Sequence, residues 1–222
     1  MLRIGMGLIL LLLAAPAWSR DWPEVPAPPA SKVEWVARHM IYNGIAMRLQ
    51  SFESRRSASE VLAYYQQKWA GRNVVNPLGP WTVIGTRAGD YYLTVQVRSR
   101  GDHASQGYIG ISNMPSLKHK PKLGRGFPMM ENTQVIDDIR SVDDSREART
   151  LLVLNRYSVE SNALFYRKQM TLLGWRRTED RTAQPGRARV LMFQKGTQQA
   201  IISLEQRRGR TAVVANLVSG GP

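Results

Sequence analysis

One phrase stands in this chain twice. Residues 57–69 read SASEVLAYYQQKW, and residues 158–175 read SVESNALFYRKQMTLLGW. Aligned serine on serine, Tyr65 falls on Tyr166 and Tyr64 on Phe165. Ser57 with Glu60 three positions later has the spacing of a capping box, and Ser158 stands where the second copy needs its cap. Val61, Leu62, Tyr65 and Trp69 in the first copy, and Tyr166, Met170 and Leu173 in the second, recur at helical spacing and leave one apolar stripe. Gly71 and Gly174 are suited to ending each helix, because glycine adopts the left-handed conformation of a helix terminus at little cost. A stripe of that width must be buried against something. The strand signals that flank it also come in two sets.

In the first half, Asn43-Gly44 lies between two runs rich in apolar and aromatic residues, a strong short-range signal for a hairpin. Ser31 and Glu34 also have capping-box spacing and compete for a helix over 32–39; the Asn-Gly turn favours strands. Met47, Leu49 and Ser51 would share one face of the second strand, with Arg48, Gln50 and Phe52 on the other. After the first helix, Asn76-Pro77-Leu78-Gly79-Pro80 reads as a loop. WTVIGTR, YYLTVQVR and GYIGIS then read as strands, and Leu93, Val95 and Val97 alternate with Thr94, Gln96 and Arg98 as in a sheet with one wet face. In the second half, TQVIDDIRSV and ARTLLVLNRY precede the helix, and VLMFQK, AIISLEQ and TAVVANLV follow it, with Ala200, Ile202 and Leu204 in the role of Leu93, Val95 and Val97. The expected fold class is therefore α+β: two tandem repeated modules of order β-β-α-β-β-β, each an antiparallel sheet with one helix packed on it. The boundaries fall at 1–19 (leader), 20–31 (Pro-rich linker), 32–114 (first module), 115–128 (basic Pro/Gly linker) and 129–219 (second module).

The leader follows from a single cation, Arg3, before the apolar run 8–15 and small residues. Both Ala15-Pro16-Ala17 and Ala17-Trp18-Ser19 fit a signal-peptidase site. The run is shorter than the roughly 20 residues needed to span a bilayer, and no cysteine follows it to carry a lipid. The expected location is the periplasm or the exterior. Four of the ten residues 21–30 are proline, which implies an extended spacer rather than a regular element. The chain has no cysteine at all, so disulfides, thiol nucleophiles and cysteine metal sites are excluded.

Loss of the leader takes the formal net charge from +14 to +13, a balance that favours polyanionic or acidic partners. Two basic groups are candidates for contact. One is the hairpin tip carrying Arg207, Arg208 and Arg210. The other is the linker with Lys118, Lys120, Lys122 and Arg125. No catalytic constellation is visible. His39, His103 and His119 are scattered and no pair has metal-ligand spacing. Asp137-Asp138 lie on a strand and point to opposite faces. The Asp143-Asp144-Ser145 turn is the weakest of candidates for a cation. No Gly-rich phosphate loop or nucleophile elbow occurs. No enzyme activity and no cofactor is expected.

Phe127-Pro128, Ser158, Phe165-Tyr166, Gly174-Trp175 and the strands of 190–217 resemble the repeated modules of a broad group of uncharacterised bacterial exported or envelope proteins. The first half resembles them through Tyr64-Tyr65, with Gly71-Arg72 in place of Gly-Trp. The resemblance implies fold and compartment, and it brings no catalytic residues. The function expected from these readings is a protein-interaction or assembly module of the bacterial envelope, accessory to a secretion or pilus system. The alternative is an electrostatic binder of DNA or anionic lipid head groups. The leader has a direct test: intact mass of the exported protein should place its N-terminus after Ala17 or Ser19, and a retained Met1 would show an uncleaved anchor.

Overall fold

A computed structural model of the chain describes residues 22–114, 121–143 and 146–219. The leader, Lys118, His119, Lys120, Asp144 and Ser145 lie outside the described residues. The elements run β1 (Ser31–Tyr42), β2 (Ile45–Ser54), α1 (Ala58–Lys68), β3 (Asn73–Leu78), β4 (Trp81–Ala88), β5 (Tyr91–Ser99), β6 (Ser105–Asn113), β7 (Gln134–Asp143), β8 (Arg146–Asn155), α2 (Val159–Leu172), β9 (Arg176–Gln184), β10 (Ala188–Lys195), β11 (Gln198–Arg207) and β12 (Arg210–Val218). All twelve strands join one sheet, in the order β3-β4-β5-β6-β2-β1-β7-β8-β12-β11-β10-β9.

This corrects the expected fold class. The protein is not two α+β modules; it is mainly β, with helices of only 11 and 14 residues on a twelve-stranded antiparallel sheet. Two physical causes account for the difference. First, β1 and β7 pair with each other, His39 opposite Val142 through Tyr42 opposite Ile139, so what would be two sheets is continuous. Second, β3 and β9 are additional strands at the two edges. The segment expected to be a loop, Asn76-Pro77-Leu78, lies within β3; an edge strand tolerates proline because its outer side makes no ladder bonds. RRTEDRTAQ of β9 shows no apolar alternation because it meets water along one whole edge.

The strand order reverses about the β1–β7 contact: β7 stands in for β1, β8 for β2, β12 for β6, and so on to the edges. The two copies of the repeated phrase take up matching geometry. Tyr65 and Tyr166 are both 0% exposed. Tyr64 stands edge-on to Tyr65 at 5.0 Å and 78°, and Phe165 to Tyr166 at 5.2 Å and 81°. Ser57 accepts from the Glu60 amide and Glu60 accepts from the Ser57 amide, while Ser158 Oγ accepts from the Ser161 amide at 3.0 Å. Gly71 and Gly174 both sit at positive φ after their helices.

Directly paired residues of an antiparallel sheet share a face, so the register shows where the cores lie. Tyr91 pairs with Asn113, Asn113 with Ala46, Ala46 with Ile41, Ile41 with Arg140, Arg140 with Arg149, Arg149 with Leu217 and Leu217 with Ala200. Tyr91 belongs to the N-terminal core and Ala200 to the C-terminal core. Both cores, and with them both helices, therefore occupy the same face. Helix α1 packs on β4, β5 and β6, and α2 on β9, β10 and β11. Among the described residues the other face carries no helix.

The Pro-rich arm is built into the N-terminal core. Pro28 is buried, Val25 packs on the core residues, Trp22 lies 5.2 Å from Tyr91, and Tyr65 Oη donates to the Pro26 carbonyl at 2.6 Å. In the C-terminal half Phe127 covers the matching tyrosine, with its ring 5.6 Å from Tyr166. The Tyr166 hydroxyl is buried without a hydrogen-bond partner. The two hydroxyls should thus respond oppositely to removal. Tyr65→Phe should lose about 0.5–1.5 kcal/mol, whereas Tyr166→Phe should be neutral or stabilising. Tyr166→Ala should cost about 3–5 kcal/mol. Urea unfolding of the three variants checks this, and equal effects of the two Phe changes would contradict it.

Candidate functional site

The basic residues singled out in the sequence do not form one patch. Arg207 and Arg210 pair across the β11–β12 hairpin, whose tip residues Arg208 and Gly209 take φ of 45° and 77°. One of these cations is already engaged: Arg207 Nη2 lies 2.8 Å from Glu205 Oε2. Lys122 and Arg125 sit elsewhere, on the strap that crosses the helix-bearing face at the junction of the two halves. Arg149 Nη1 donates to the Arg125 carbonyl at 3.0 Å. Leu217, which pairs with Arg149, is seven residues from Arg210 along β12, or roughly 24 Å. The linker lysines Lys118 and Lys120 lie outside the described residues.

At the junction the Asn43-Gly44 turn, with φ of 47° and 84°, abuts β7. The Asn43 amide donates to the Asp138 carbonyl (3.0 Å), Asn43 Oδ1 accepts from the Asp138 amide (2.8 Å), and Asn43 Nδ2 donates to the Ile136 carbonyl (3.1 Å). Tyr42 Oη donates to Asp137 Oδ1 at 2.7 Å. Asp138 points to the opposite face from Asp137 and is nearly buried. Arg149 grips its carboxylate with two bonds of 2.9 and 2.8 Å, the Gly124 amide donates at 2.9 Å, and Arg140 stands at 3.7 Å. Burial alone would raise the Asp138 pKa, but the bonds from Arg149 and Gly124 and the two nearby cations outweigh it and hold the carboxyl below its ordinary value. This is a structural clasp. It neutralises Arg149 of β8, whose side chain is 17% exposed. Beside it, Ile41, Val142 and Leu217 floor a shallow groove of about 390 Å³ flanked by Trp175 and Arg140.

The uncovered face differs between the halves. In the N-terminal half Arg98 pairs with Gln106, Gln106 with Glu53 and Glu53 with Lys32, and Trp81, Tyr108 and Tyr92 stand on the same side. In the C-terminal half the corresponding surface carries Leu152, Leu154, Val190, Met192, Ile201 and Val214, with Thr150, Ser203 and Asn216 among them. The sequence did not reveal either patch. Only cross-strand register makes these residues neighbours. Among the described residues, no group of three or more His, Asp or Glu side chains could hold a metal ion, and no helix is long and apolar enough to cross a membrane. His39 pairs with Val142 inside β1–β7, and His103 lies in the β5–β6 turn.

The clasp predicts a pH signature. The depressed Asp138 pKa contributes stability above the unfolded value of about 3.9, and that contribution is lost as pH falls through the lower folded value. Asp138→Asn should cost about 1–3 kcal/mol at pH 7, because half-buried Arg149 loses its carboxylate partner. The gap to the parent should narrow towards pH 3 in urea melts; a gap independent of pH would remove the ion pair from the account. Compared with known proteins, the chain matches no family model, no curated protein and no solved structure.

Proposed function

We propose that this chain is a protein-docking module of the bacterial envelope, carried across the membrane by its leader and serving as an accessory to an assembly such as a secretion or pilus system. One observation supports the reading most. Among the described residues the sheet has helices on one face only, and across its C-terminal half the other face carries an aliphatic cluster broken by Thr150, Ser203 and Asn216. A sheet face meant for water alternates to polar side chains. Here Ile201 is 37% exposed, among half-buried Leu152, Leu154, Val190, Met192 and Val214. Contiguous apolar surface of this kind is covered by a partner in most soluble proteins that carry it. No residue is proposed to act catalytically or to hold a cofactor.

The net charge supports the competing polyanion reading less well, because many arginines are already committed. Arg207 is paired with Glu205, Arg149 with Asp138, Arg100 with Glu53, and Arg189 with Asp180 and Glu160. Capture from envelope extract on immobilised mature protein separates the two. Docking predicts that the captured protein is retained between about 50 and 200 mM salt, where polyanion binding falls steeply. It also predicts loss of capture with Ile201→Asp and retention when Arg207, Arg208 and Arg210 are all changed to Ala, with unchanged thermal unfolding in each variant. The reverse pattern would assign the function to the basic tip.

A further inference from the structure

We propose that the uncovered face of the N-terminal half is a saccharide-binding cleft. It is separate from the aliphatic docking face and goes beyond that reading. The cleft has a volume of about 340 Å³, and its walls include Trp81, Tyr108, Gln106, Ser51 and Glu53. That volume is at the lower end of the ~300–1,000 Å³ of small-ligand sites. The Trp81 and Tyr108 rings lie 5.7 Å apart and tilted by 44°. Arg98 lies over the Trp81 ring at 4.6 Å, and with the Gln106 amide turned so that its oxygen faces Arg98, Nε donates to that oxygen at 2.7 Å.

The chemistry of these groups selects the ligand. A pyranose ring presents an apolar C–H face of weakly positive hydrogens, which suits the negative face of an aromatic ring. Its hydroxyls both donate and accept, so they need partners that do the same or accept strongly: an amide, a carboxylate and a hydroxyl, as in Gln106, Glu53 and Ser51. Charge argues against a phosphate-bearing ligand. Lys32 is paired with Glu34 at 2.6 Å, Arg100 with Glu53 at 2.6 Å, and Arg98 is spent on Trp81 and Gln106. A site built to track phosphates would instead leave its cations outward and uncompensated. On the same face, Tyr92 reaches Gly85, where a Cβ would come within 2.7 Å of the Tyr92 hydroxyl.

The C-terminal half supplies an internal control. At the positions corresponding to Trp81, Gln106, Tyr108, Ser51 and Glu53 stand Ala188, Ala212, Val214, Leu152 and Leu154, in the same pairing pattern. The fold closes equally well with either set. Folding therefore does not demand the aromatic-polar set, and a ligand does explain it.

The test is titration of the mature protein, followed by the Trp indole N–H resonances in NMR, with maltotetraose, cellotetraose and N-acetylated chitotetraose, and with oligo(dT) as the nucleic-acid probe. One of the tetrasaccharides should bind with a Kd of about 0.1–1 mM and shift the Trp81 resonance. Trp81→Ala and Tyr108→Ala should each weaken it by about tenfold or more, while Trp35→Ala on the opposite face leaves it unchanged. Trp81→Phe, which keeps a ring, should retain most of the affinity and carries the test if Trp81→Ala fails to fold. No binding by any of the three sugars below about 10 mM, an affinity indifferent to both aromatic changes, or binding of oligo(dT) in their place would overturn the proposal. Ile201→Asp should leave sugar binding intact, so failure here and failure of the docking reading are distinguishable.

Discussion

Everything else in this structure depends on one contact: the antiparallel pairing of β1 with β7 and the clasp that locks it. Two strands that would otherwise be open edges share ladder bonds, and the Asn43 side chain completes the row by bonding both ways to β7. The Asp138–Arg149 pair and the Gly124 amide then tie the connecting strap to the same spot. A buried ion pair is weak as a source of net stability, yet breaking one partner is costly. Here it ties β7 to β8 and the strap, while the Asn43 bonds to β7 fix the β1–β7 register. Because a one-residue slip would turn every side chain to the wrong face, that register places both helices on one side and leaves the other side of the sheet free.

That asymmetry turns a pair of small units into a broad platform. Twelve strands at ~4.8 Å spacing give a sheet on the order of 50 Å across, with one face consumed by two cores. Helix α2 is also held to the sheet edge by charge: Arg189 bonds Asp180 at 2.6 Å and Glu160 at 2.6 Å, and Arg167 reaches the same two acids. Residues that must be charged to keep β9 from pairing with another chain thereby also orient the helix. The free face is where the halves part company, aromatic and polar in one and richer in aliphatic side chains in the other, although their backbones follow the same plan.

Much of the local structure was legible in advance because it rests on short-range chemistry. The Asn43-Gly44 turn needs two positive φ values, and Ser57 with Glu60 needs only four residues to close its cap. The tyrosine stripes follow from helical spacing. The two missed strands had no such signal: Pro77 in β3 argued for a loop, and the charges of β9 erased any alternation. The Pro-rich arm read as a spacer because proline lacks a donor; its burial came from long-range contacts, Tyr65 reaching the Pro26 carbonyl and Trp22 lying on Tyr91. Of the candidate contact residues, Arg207 and Arg125 were visible as charges, but their counter-ions and neighbours were not.

The amino-acid sequence by itself determined where the two helices and the Asn43-Gly44 hairpin form and that Tyr65 and Tyr166 are buried, since those outcomes follow from propensity, capping and periodicity within a few residues. Tertiary structure alone decided that two sets of strands become one sheet, that both helices take the same side, and that Trp81, Tyr108 and Gln106 meet on the other. Strand partners are chosen by register and edge pairing between residues as much as a hundred positions apart. Nothing in a local pattern specifies which edge will meet which, so the neighbours that make a surface appear only once the chain has closed on itself.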